Sequence, residues 1–534
     1  MKHSKEKISK KNNKKNEKEE KDNKKTFKSR FIKFIIFALI LTLLALISFL
    51  AYKAYTFKTL VKEMFSNAPS VVFDSNKETI SKIGTERNRQ NVNLTDIPDD
   101  LKNAYIAIED QRFYKHHGVD IKRTTAAVFS YVLKRGSSSF GGSSITQQLV
   151  KNLTGDSSNT IFRKVKEWFY ALVLDSSFSK DEILNAYLNI IYTGPNVYGV
   201  KEAALYYFNT DLDNLDLAQC AFLAGINNSP NSYNPFSDSD KSEKISKRTK
   251  TVLNKMLELK YISQEQYDEV VNKVDSGLKF NKGNLNNNSS VNSYHTDALF
   301  NEIVSDFSKQ KHISQDFATN YFYMSNSSIY STQISSIQKD VENECKNKKY
   351  ILKSTNGTDT SQSAMVIIDQ STGYVVACNG GLGEKTSSRG FNRATQMKRQ
   401  TGSSMKPIAV LAPAIEKRLI TNVTVFADEP TTFIDYNGES YSPVDYDNYK
   451  GSITLRQAVE SSQNIPFVKI MEQLTPQVSI KYLKKMGITT LNDKDVNLSL
   501  SLGGLDEGIS PLEFAGAYAC IANDRCLYRA YFLY

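Results

Sequence analysis

The segment EDQRFYKHHG, residues 109–118, is the first of four motifs that follow one another in the block 96–260. GGSSITQQ follows at 141–148, RKVKE at 163–167 and KDEILNAYLNIIYTG at 180–194. In the fourth motif apolar side chains recur at helical spacing, and the block as a whole is rich in this periodicity. We therefore predict that residues 96–260 form one mostly helical domain.

In this order the four motifs resemble those of the peptidoglycan glycosyltransferase family: E-D-x-x-F-x-x-H-x-G, G-x-S-T-I-T-Q-Q, R-K-x-x-E and K-x-x-I-L-x-x-Y-L-N-x-x-Y-x-G. Each motif alone is moderately specific, whereas the ordered set is strongly so. The resemblance implies a lysozyme-like fold that polymerises lipid II into β-1,4-linked glycan strands. It also implies inversion at the anomeric carbon and release of undecaprenyl diphosphate.

The residues of these motifs suit that chemistry. A sugar hydroxyl is a poor nucleophile, so a carboxylate beside it should take its proton, and the resemblance gives this role of general base to Glu109. The departing diphosphate is anionic and needs cations, for which Arg163 and Lys164 are the candidates. Glu167 matches the second essential glutamate of the family and is expected to orient the donor, position Lys164 or help hold a divalent cation (Mg or Mn). No other cofactor is expected. Uncharged substrate donors are predicted in the second motif: Ser143, Ser144, Thr146, Gln147 and Gln148.

The positive charge of the chain sits in an N-terminal tail. Residues 1–33 hold 14 Lys and Arg against 5 Asp and Glu, so the tail carries +9 of the net charge of +11. It has almost no apolar residues and is predicted to be disordered. A nucleic-acid partner is not expected, because a membrane helix follows the tail at once.

Residues 34–52, FIIFALILTLLALISFLAY, run for 19 residues without a charge, enough to cross a bilayer as a helix. A cleaved signal peptide fits less well, because the apolar run and its basic leader are too long and no small-x-small site follows. By the positive-inside rule the tail stays in the cytoplasm. We expect a single-pass protein of the cell membrane, with an extracellular lead-in at 53–95 and the globular blocks outside.

A second block is predicted at 361–534, behind a linker region at 261–360. It opens with two apolar runs, AMVII and YVVAC, around the turn Asp369–Gly373, a pattern typical of a β-hairpin. Ser403-x-x-Lys406 and Ser462-x-Asn464 follow. These resemble the first two motifs of penicillin-binding transpeptidases.

That second resemblance implies an α/β domain in which Ser403 is the acyl nucleophile for a D-Ala-D-Ala carbonyl. Positions i and i+3 share a helix face, so the amine of Lys406 can approach the Ser403 hydroxyl and, when neutral, take its proton. Ser462 and Asn464 would line the opposite wall. β-Lactams would bind if the domain folds. The pairing of the two domains resembles the class A (bifunctional) penicillin-binding proteins, and wall-synthesis and division proteins are expected partners.

The third transpeptidase motif, K-T-G, does not follow the nucleophile in this sequence. The last ten residues, RCLYRAYFLY, can be encoded so that reading one base later gives GVYTEPIFY, a continuation typical of the family. We therefore expect that a frameshift has truncated the second domain and that its transpeptidase activity is impaired.

Two other interpretations remain open. The pairs Arg163–Glu167 and Lys164–Glu167 have the spacing of ordinary solvated ion pairs on a helix. The whole chain would then be a non-catalytic, membrane-anchored scaffold of the wall-synthesis complex. A β-lactamase-type hydrolase would account for Ser403 and Lys406 but leaves the first block unexplained.

Overall fold

The computed structural model describes residues 34–66, 68–84, 90–125, 142–156, 158, 160–284, 291–357, 360–436, 438–523 and 530–533. The basic tail predicted at 1–33 lies outside these residues. The described chain folds into a long N-terminal helix, a helical domain, a middle segment and an α/β domain.

Helix α1, Phe34–Met64, begins in the predicted membrane span and continues well beyond it. Within the described ranges it is the one helix that is long and apolar enough to cross a membrane. Its last turns, by contrast, are amphipathic and pack against the helical domain through Phe57, Leu60, Val61 and Met64, all of which are buried. The predicted lead-in at 53–95 is therefore folded: it holds the end of α1 and a hairpin.

In the part of the chain that the structure describes, the helices of this domain pack around one core, with a short hairpin between α5 and α6. The elements are α2 Asp99–Glu109, α3 Ile145–Thr154, α4 Ile161–Ser177, α5 Lys180–Ile190, β3 Tyr192–Gly194, β4 Val197–Tyr198, α6 Val200–Phe208, α7 Leu217–Ile226, α8 Ser242–Glu258 and α9 Gln264–Asp275. Helix α7 is apolar on nearly all faces and lies at the centre, against α2 and α8. The predicted mostly helical domain is confirmed.

The stretch 261–360, predicted as a linker region, is folded, and this prediction is corrected. After α9 it holds α10 Tyr294–Lys311, α11 Gln315–Met324, β5 Ser328–Tyr330 and α12 Ser335–Lys346. Strand β5 pairs in parallel with β1, Ser70–Phe73, which pairs in turn with β2, Thr79–Ile83. This segment gives weak sequence signals because its one strand is short and the other two strands of the sheet come from residues about 250 positions earlier.

Helix α11 fixes the middle segment to the helical domain. The side-chain amide of Asn320 donates to the carbonyl oxygens of Asn152 and Leu153, 3.0 Å away in each case, and so caps the end of α3. Ser314, the N-cap of α11, donates to the carbonyl of Thr154 at 3.1 Å. The last carbonyls of α3 are therefore satisfied by the middle segment.

The α/β domain has its own hydrophobic core. The predicted hairpin forms from β6 Met365–Asp369 and β7 Tyr374–Asn379. The other elements are α13 Ala412–Glu416, β8 Val425–Asp428, β9 Phe433–Ile434, β10 Ser440–Tyr441, β11 Gly451–Thr454, α14 Leu455–Glu460, α15 Ile465–Leu474, α16 Pro476–Lys485 and α17 Pro511–Ala522. The predicted α/β class is confirmed.

The segment behind the predicted nucleophile is not a regular α-helix. A 3-10 turn, Gly402–Met405, is followed by a π-helical turn, Pro407–Leu411, and then by α13. Pro407 and Pro413 each lack a backbone N–H, so the regular i→i−4 ladder cannot continue through them.

The outer edge of β7 is partly covered by residues 530–533. The backbone N–H of Val375 donates to the carbonyl of Tyr531 at 2.9 Å, and Tyr531 donates to Gly373 at 3.1 Å. Phe532 is buried next to the ring of His295, with 4.9 Å between the ring centroids. Burial lowers the pKa of His295 to about 4, so this ring is neutral near pH 7.

Candidate active site

The N-terminus of α3 is the frame of the first site. Ser144 caps the helix: its hydroxyl accepts from the N–H of Gln147 at 3.1 Å and donates to the carbonyl of Gly118 at 2.5 Å. The Gln147 side chain accepts from the Ser144 N–H at 3.0 Å, which completes a capping box. The start of α3 is thereby fixed to the end of the first motif.

Asp110 connects α2 to the same point. Its Oδ2 accepts the first free N–H of α3, that of Ile145, at 3.0 Å, a favourable place for a carboxylate at a helix N-terminus. The same oxygen lies 2.8 Å from Nε2 of His116. Since Asp110 follows Glu109 directly, these contacts set where the Glu109 side chain starts.

The Glu109 carboxylate, at the last residue of α2, is held by two amides. Its Oε2 accepts from Nε2 of Gln148 at 2.7 Å, and its Oε1 accepts from Nδ2 of Asn227 at 3.0 Å. The hydroxyl of Tyr187 accepts from Nδ2 of Asn227 at 2.9 Å and donates to Oε1 of Gln148 at 3.0 Å. Four side chains thus close a ring, which we call the Glu109 ring.

Glu167, on α4, is the centre of a second cluster. Its carboxylate is buried and forms ion pairs with Arg163 and Lys164. It also accepts from Nε2 of Gln147 at 2.9 Å. Nζ of Lys164 donates in addition to the Ser143 hydroxyl at 2.8 Å. Both cations are only partly exposed, so this is not the solvated ion pair that the spacing alone allowed.

The first turn of α3 brings the two carboxylates together. Gln147 contacts Glu167 and its neighbour Gln148 contacts Glu109. The two clusters therefore flank one helix turn, as a site with a base on one side and cations on the other requires.

Three of the predicted substrate donors are buried. Ser144, Thr146 and Gln147 have essentially no exposed surface, which differs from the expected direct contact with substrate. The capping box and the bond to Glu167 account for Ser144 and Gln147. The hydroxyl of Thr146 has no partner within the described ranges. Ser143 and Gln148 stay partly exposed beside the two clusters.

Tyr187 and Asn227 were not among the predicted site residues. In the sequence, Tyr187 belongs to the side chains that recur at helical spacing in the fourth motif, a pattern that predicts burial. Nothing in that pattern indicates a role for its hydroxyl. Asn227 lies 118 residues from Glu109 in the sequence. A polar residue directly after the largely apolar helix α7 is the one hint that the sequence offers.

The surroundings of Glu167 do not fit a protein-held divalent cation. Both of its oxygens already accept from cationic or amide groups, and a metal ion would have to displace them. Among the described residues no three His, Cys, Asp or Glu side chains form a cluster that could hold a metal. No catalytic step is therefore assigned to a metal ion here.

Removing the α3 cap should weaken the site as a whole. In Ser144→Ala the N–H of Gln147 and the carbonyl of Gly118 lose their partner, and we expect a loss of about 1–2 kcal/mol in the free energy of unfolding. Ser144→Thr keeps the hydroxyl and is the matched control. Thermal unfolding of both variants measures the difference; equal melting temperatures would contradict the assigned capping role.

The second predicted site is assembled around Lys406. This side chain is 3% exposed, and its Nζ donates to the Ser462 carbonyl at 2.8 Å, the Gln463 carbonyl at 3.0 Å and Oδ1 of Asn464 at 2.8 Å. The Ser462 hydroxyl is 3.3 Å away. Burial lowers the pKa of Lys406 to about 8, while the nearby Asp445 carboxylate acts in the opposite direction.

Ser403 is exposed on the 3-10 turn beside Lys406. No hydrogen bond joins its hydroxyl to Nζ of Lys406 in the described chain. Gly503 supports this turn from below: it has a φ of +82°, and a Cβ there would lie 2.3 Å from the carbonyl oxygen of Gly402. The structure thus brings together Lys406, Ser462 and Asn464, with Ser403 exposed on the adjoining turn.

Comparison with known proteins finds one family match for each of the two domains. The Transglycosylase family matches residues 76–257, and the Penicillin binding protein transpeptidase domain matches residues 363–533. The chain belongs to the class A, bifunctional penicillin-binding proteins, in which these two domains follow one another in this order.

Several relatives carry the name Penicillin-binding protein 1A. That of Clostridium botulinum (strain Hall) is 36% identical over 474 residues, which cover 85% of this chain and 57% of the relative. Penicillin-binding protein 1F of Bacillus subtilis is 34% identical over 474 residues, covering 88% of this chain and 62% of the relative. The chain thus spans about three fifths of the length of these curated relatives.

Among solved structures, the crystal structure of Penicillin-Binding Protein 1A from Haemophilus influenzae aligns with a TM-score of 0.44 at 21% identity. The alignment covers 86% of this chain and 68% of that chain.

Proposed function

We propose that this chain polymerises lipid II into β-1,4-linked glycan strands, with inversion and release of undecaprenyl diphosphate. The observation that carries the proposal is the pair of clusters at the N-terminus of α3. A carboxylate held by two neutral amides, Glu109, stands on one side, and two cations held by a buried carboxylate, Glu167, stand on the other.

Glu109 takes the proton from the acceptor sugar hydroxyl. Its two oxygens accept one amide hydrogen bond each, and a carboxylate offers about four acceptor positions, so lone pairs stay free for the sugar hydroxyl. A positioned carboxylate of this kind acts as a general base and accelerates such a step by about 10²–10⁴-fold.

Lys164 and Arg163 stabilise the negative charge that grows on the departing diphosphate. Glu167 holds both cations in place, because it pairs with each of them and is itself fixed by Gln147. Preorganised charges need no reorganisation when the bond breaks, which is where their catalytic value lies. No covalent sugar intermediate is needed when inversion occurs.

The start of α4 is suited to a lipid-linked substrate. Ile161 and Phe162 are 86% and 80% exposed, and Val165 is also exposed, next to the two cations. An apolar patch beside a cationic site matches a molecule with a hydrocarbon tail and a diphosphate head. With α1 in the membrane and the N-terminus in the cytoplasm, this face would lie at the outer surface of the bilayer.

The test is a polymerisation assay with the full chain in lipid nanodiscs and labelled lipid II, with products separated by size. We expect glycan strands that lysozyme degrades. A non-catalytic scaffold would leave lipid II unchanged, and that result would overturn the proposal.

We further propose that Ser403 is the acyl nucleophile of a D-Ala-D-Ala transpeptidase site, with Lys406 as its base and Ser462 and Asn464 beside it. In this chain the reaction should be slow. Nζ of Lys406 is bonded to Ser462, Gln463 and Asn464, so it has to exchange partners before it can take the proton of Ser403.

Labelling by a fluorescent penicillin should therefore be slow and should depend on pH. The neutral amine is the base, and with a pKa of about 8 its fraction rises about tenfold between pH 7 and pH 9. We expect the labelling rate to rise accordingly. Ser403→Ala should remove the label and Ser404→Ala should keep it. Fast, stoichiometric labelling that is independent of pH would contradict this account.

A further inference from the structure

The Glu109 ring contains two residues to which no role has yet been given, Asn227 and Tyr187. We propose that Asn227, orientated by Tyr187, is a positioning residue that fixes the Glu109 carboxylate in its place. The inference rests on the proposed function, since it concerns the base of that reaction.

The orientation of the ring follows from counting protons. A phenol hydroxyl has one proton, and that of Tyr187 is donated to Oε1 of Gln148. Tyr187 must therefore accept from Asn227, which directs the amide nitrogen of Asn227 into the ring. Because Gln148 receives the phenol proton on its oxygen, its nitrogen faces Glu109. With both amide nitrogens facing the carboxylate, the hydroxyl of Tyr187 satisfies the oxygen of Gln148 and the nitrogen of Asn227.

Both amide groups donate to Glu109, and neither nitrogen can accept a proton from it. One donor on each oxygen fixes the plane of the carboxylate and leaves its other lone pairs to the sugar hydroxyl. Burial raises the pKa of Tyr187 well above its ordinary value, so its hydroxyl keeps its proton throughout the working pH range.

Each member of the ring comes from a different element. Glu109 ends α2, Gln148 lies on α3, Tyr187 on α5, and Asn227 directly follows α7. The orientation of the base is therefore set by the packing of the domain. Asn227 is also well anchored, because α7 is buried and its Gly225 carbonyl accepts from Nε of Arg248 at 3.0 Å.

The test is the kcat and KM of lipid II polymerisation by the full chain in nanodiscs, for the parent, Asn227→Ala, Tyr187→Phe and Asn228→Ala. Asn228 is the adjacent, exposed asparagine and serves as the matched control. For Asn227→Ala we expect kcat to fall about 10–100-fold while KM stays within about twofold, because the carboxylate is misplaced and the cations that meet the diphosphate are untouched.

Tyr187→Phe should likewise lower kcat, with KM near the parent value, because Asn227 and Gln148 lose the hydroxyl that joins them. Since the two residues act through the same carboxylate, the double variant should lose less than the product of the single losses. If Asn227→Ala does not fold, as judged by circular dichroism, the closely isosteric Tyr187→Phe carries the test alone.

Three results separate the possibilities. A fall in kcat per folded molecule at nearly unchanged KM in Asn227→Ala or Tyr187→Phe, with Asn228→Ala at parent values, supports the inference. A kcat per folded molecule at the parent value in both ring variants overturns it. If the parent chain itself leaves lipid II unchanged, the proposed function fails instead.

Discussion

Glu109→Gln is expected to lower lipid II polymerisation by about 10³-fold, the largest effect on polymerisation of any single substitution we predict. Glutamine has the shape of glutamate but cannot take a proton at neutral pH. It also brings an amide nitrogen to a position where Gln148 or Asn227 already donates, so one hydrogen bond of the ring is replaced by a clash of donors. The measurement is kcat in nanodiscs at saturating lipid II.

Glu265→Gln makes the same chemical change at an exposed position on α9 and is the control. Binding of lipid II, followed separately, should stay near the parent value for Glu109→Gln, because the cations that bind the diphosphate are untouched. Polymerisation by Glu109→Gln at more than a tenth of the parent rate would remove this residue from the role of base.

Glu167→Gln should damage both stability and catalysis. The buried carboxylate is the shared partner of Arg163 and Lys164, and its loss leaves two cations without a counter-charge. Breaking a buried pair costs about 3–5 kcal/mol, and because these cations are partly exposed we expect about 2 kcal/mol here. Polymerisation should fall about 10²-fold, since the cations would no longer be held against the diphosphate.

A double variant separates the two effects of Glu167→Gln. Adding Lys164→Met removes one of the unpaired charges and should recover part of the lost stability, while polymerisation stays low. Thermal unfolding and kcat are measured on the same samples. Full activity in the double variant would show that Lys164 and Glu167 serve the fold alone.

The sequence predicts the parts of the site that lie in short motifs. Glu109, Arg163, Lys164 and Glu167 are identifiable because the spacing within each motif is fixed by a single helix or turn. Sequence alone does not predict which of the motif residues face the substrate. Ser144, for instance, is a helix cap and is buried, because a serine before a helix competes for the free N–H groups there.

Contacts between distant parts of the chain could not be predicted. Asn227 reaches Glu109 only through the packing of α7 against α2. In the same way β5 pairs with β1 across more than 250 residues, and both strands are too short to give a clear pattern. The spacing of Ser403 and Lys406 predicted a shared helix face, but the turns around Pro407 direct the amine towards Ser462 and Asn464.

The proposed function requires Glu109 and the cations at Glu167 to act on the same lipid-linked substrate. A structure of the Glu109→Gln chain with bound lipid II tests this most directly. We predict that the acceptor sugar hydroxyl lies about 2.6–3.2 Å from the side chain at position 109, with the donor diphosphate against Lys164 and Arg163. A diphosphate bound away from both cations, or a sugar hydroxyl beyond the reach of residue 109, would contradict the account.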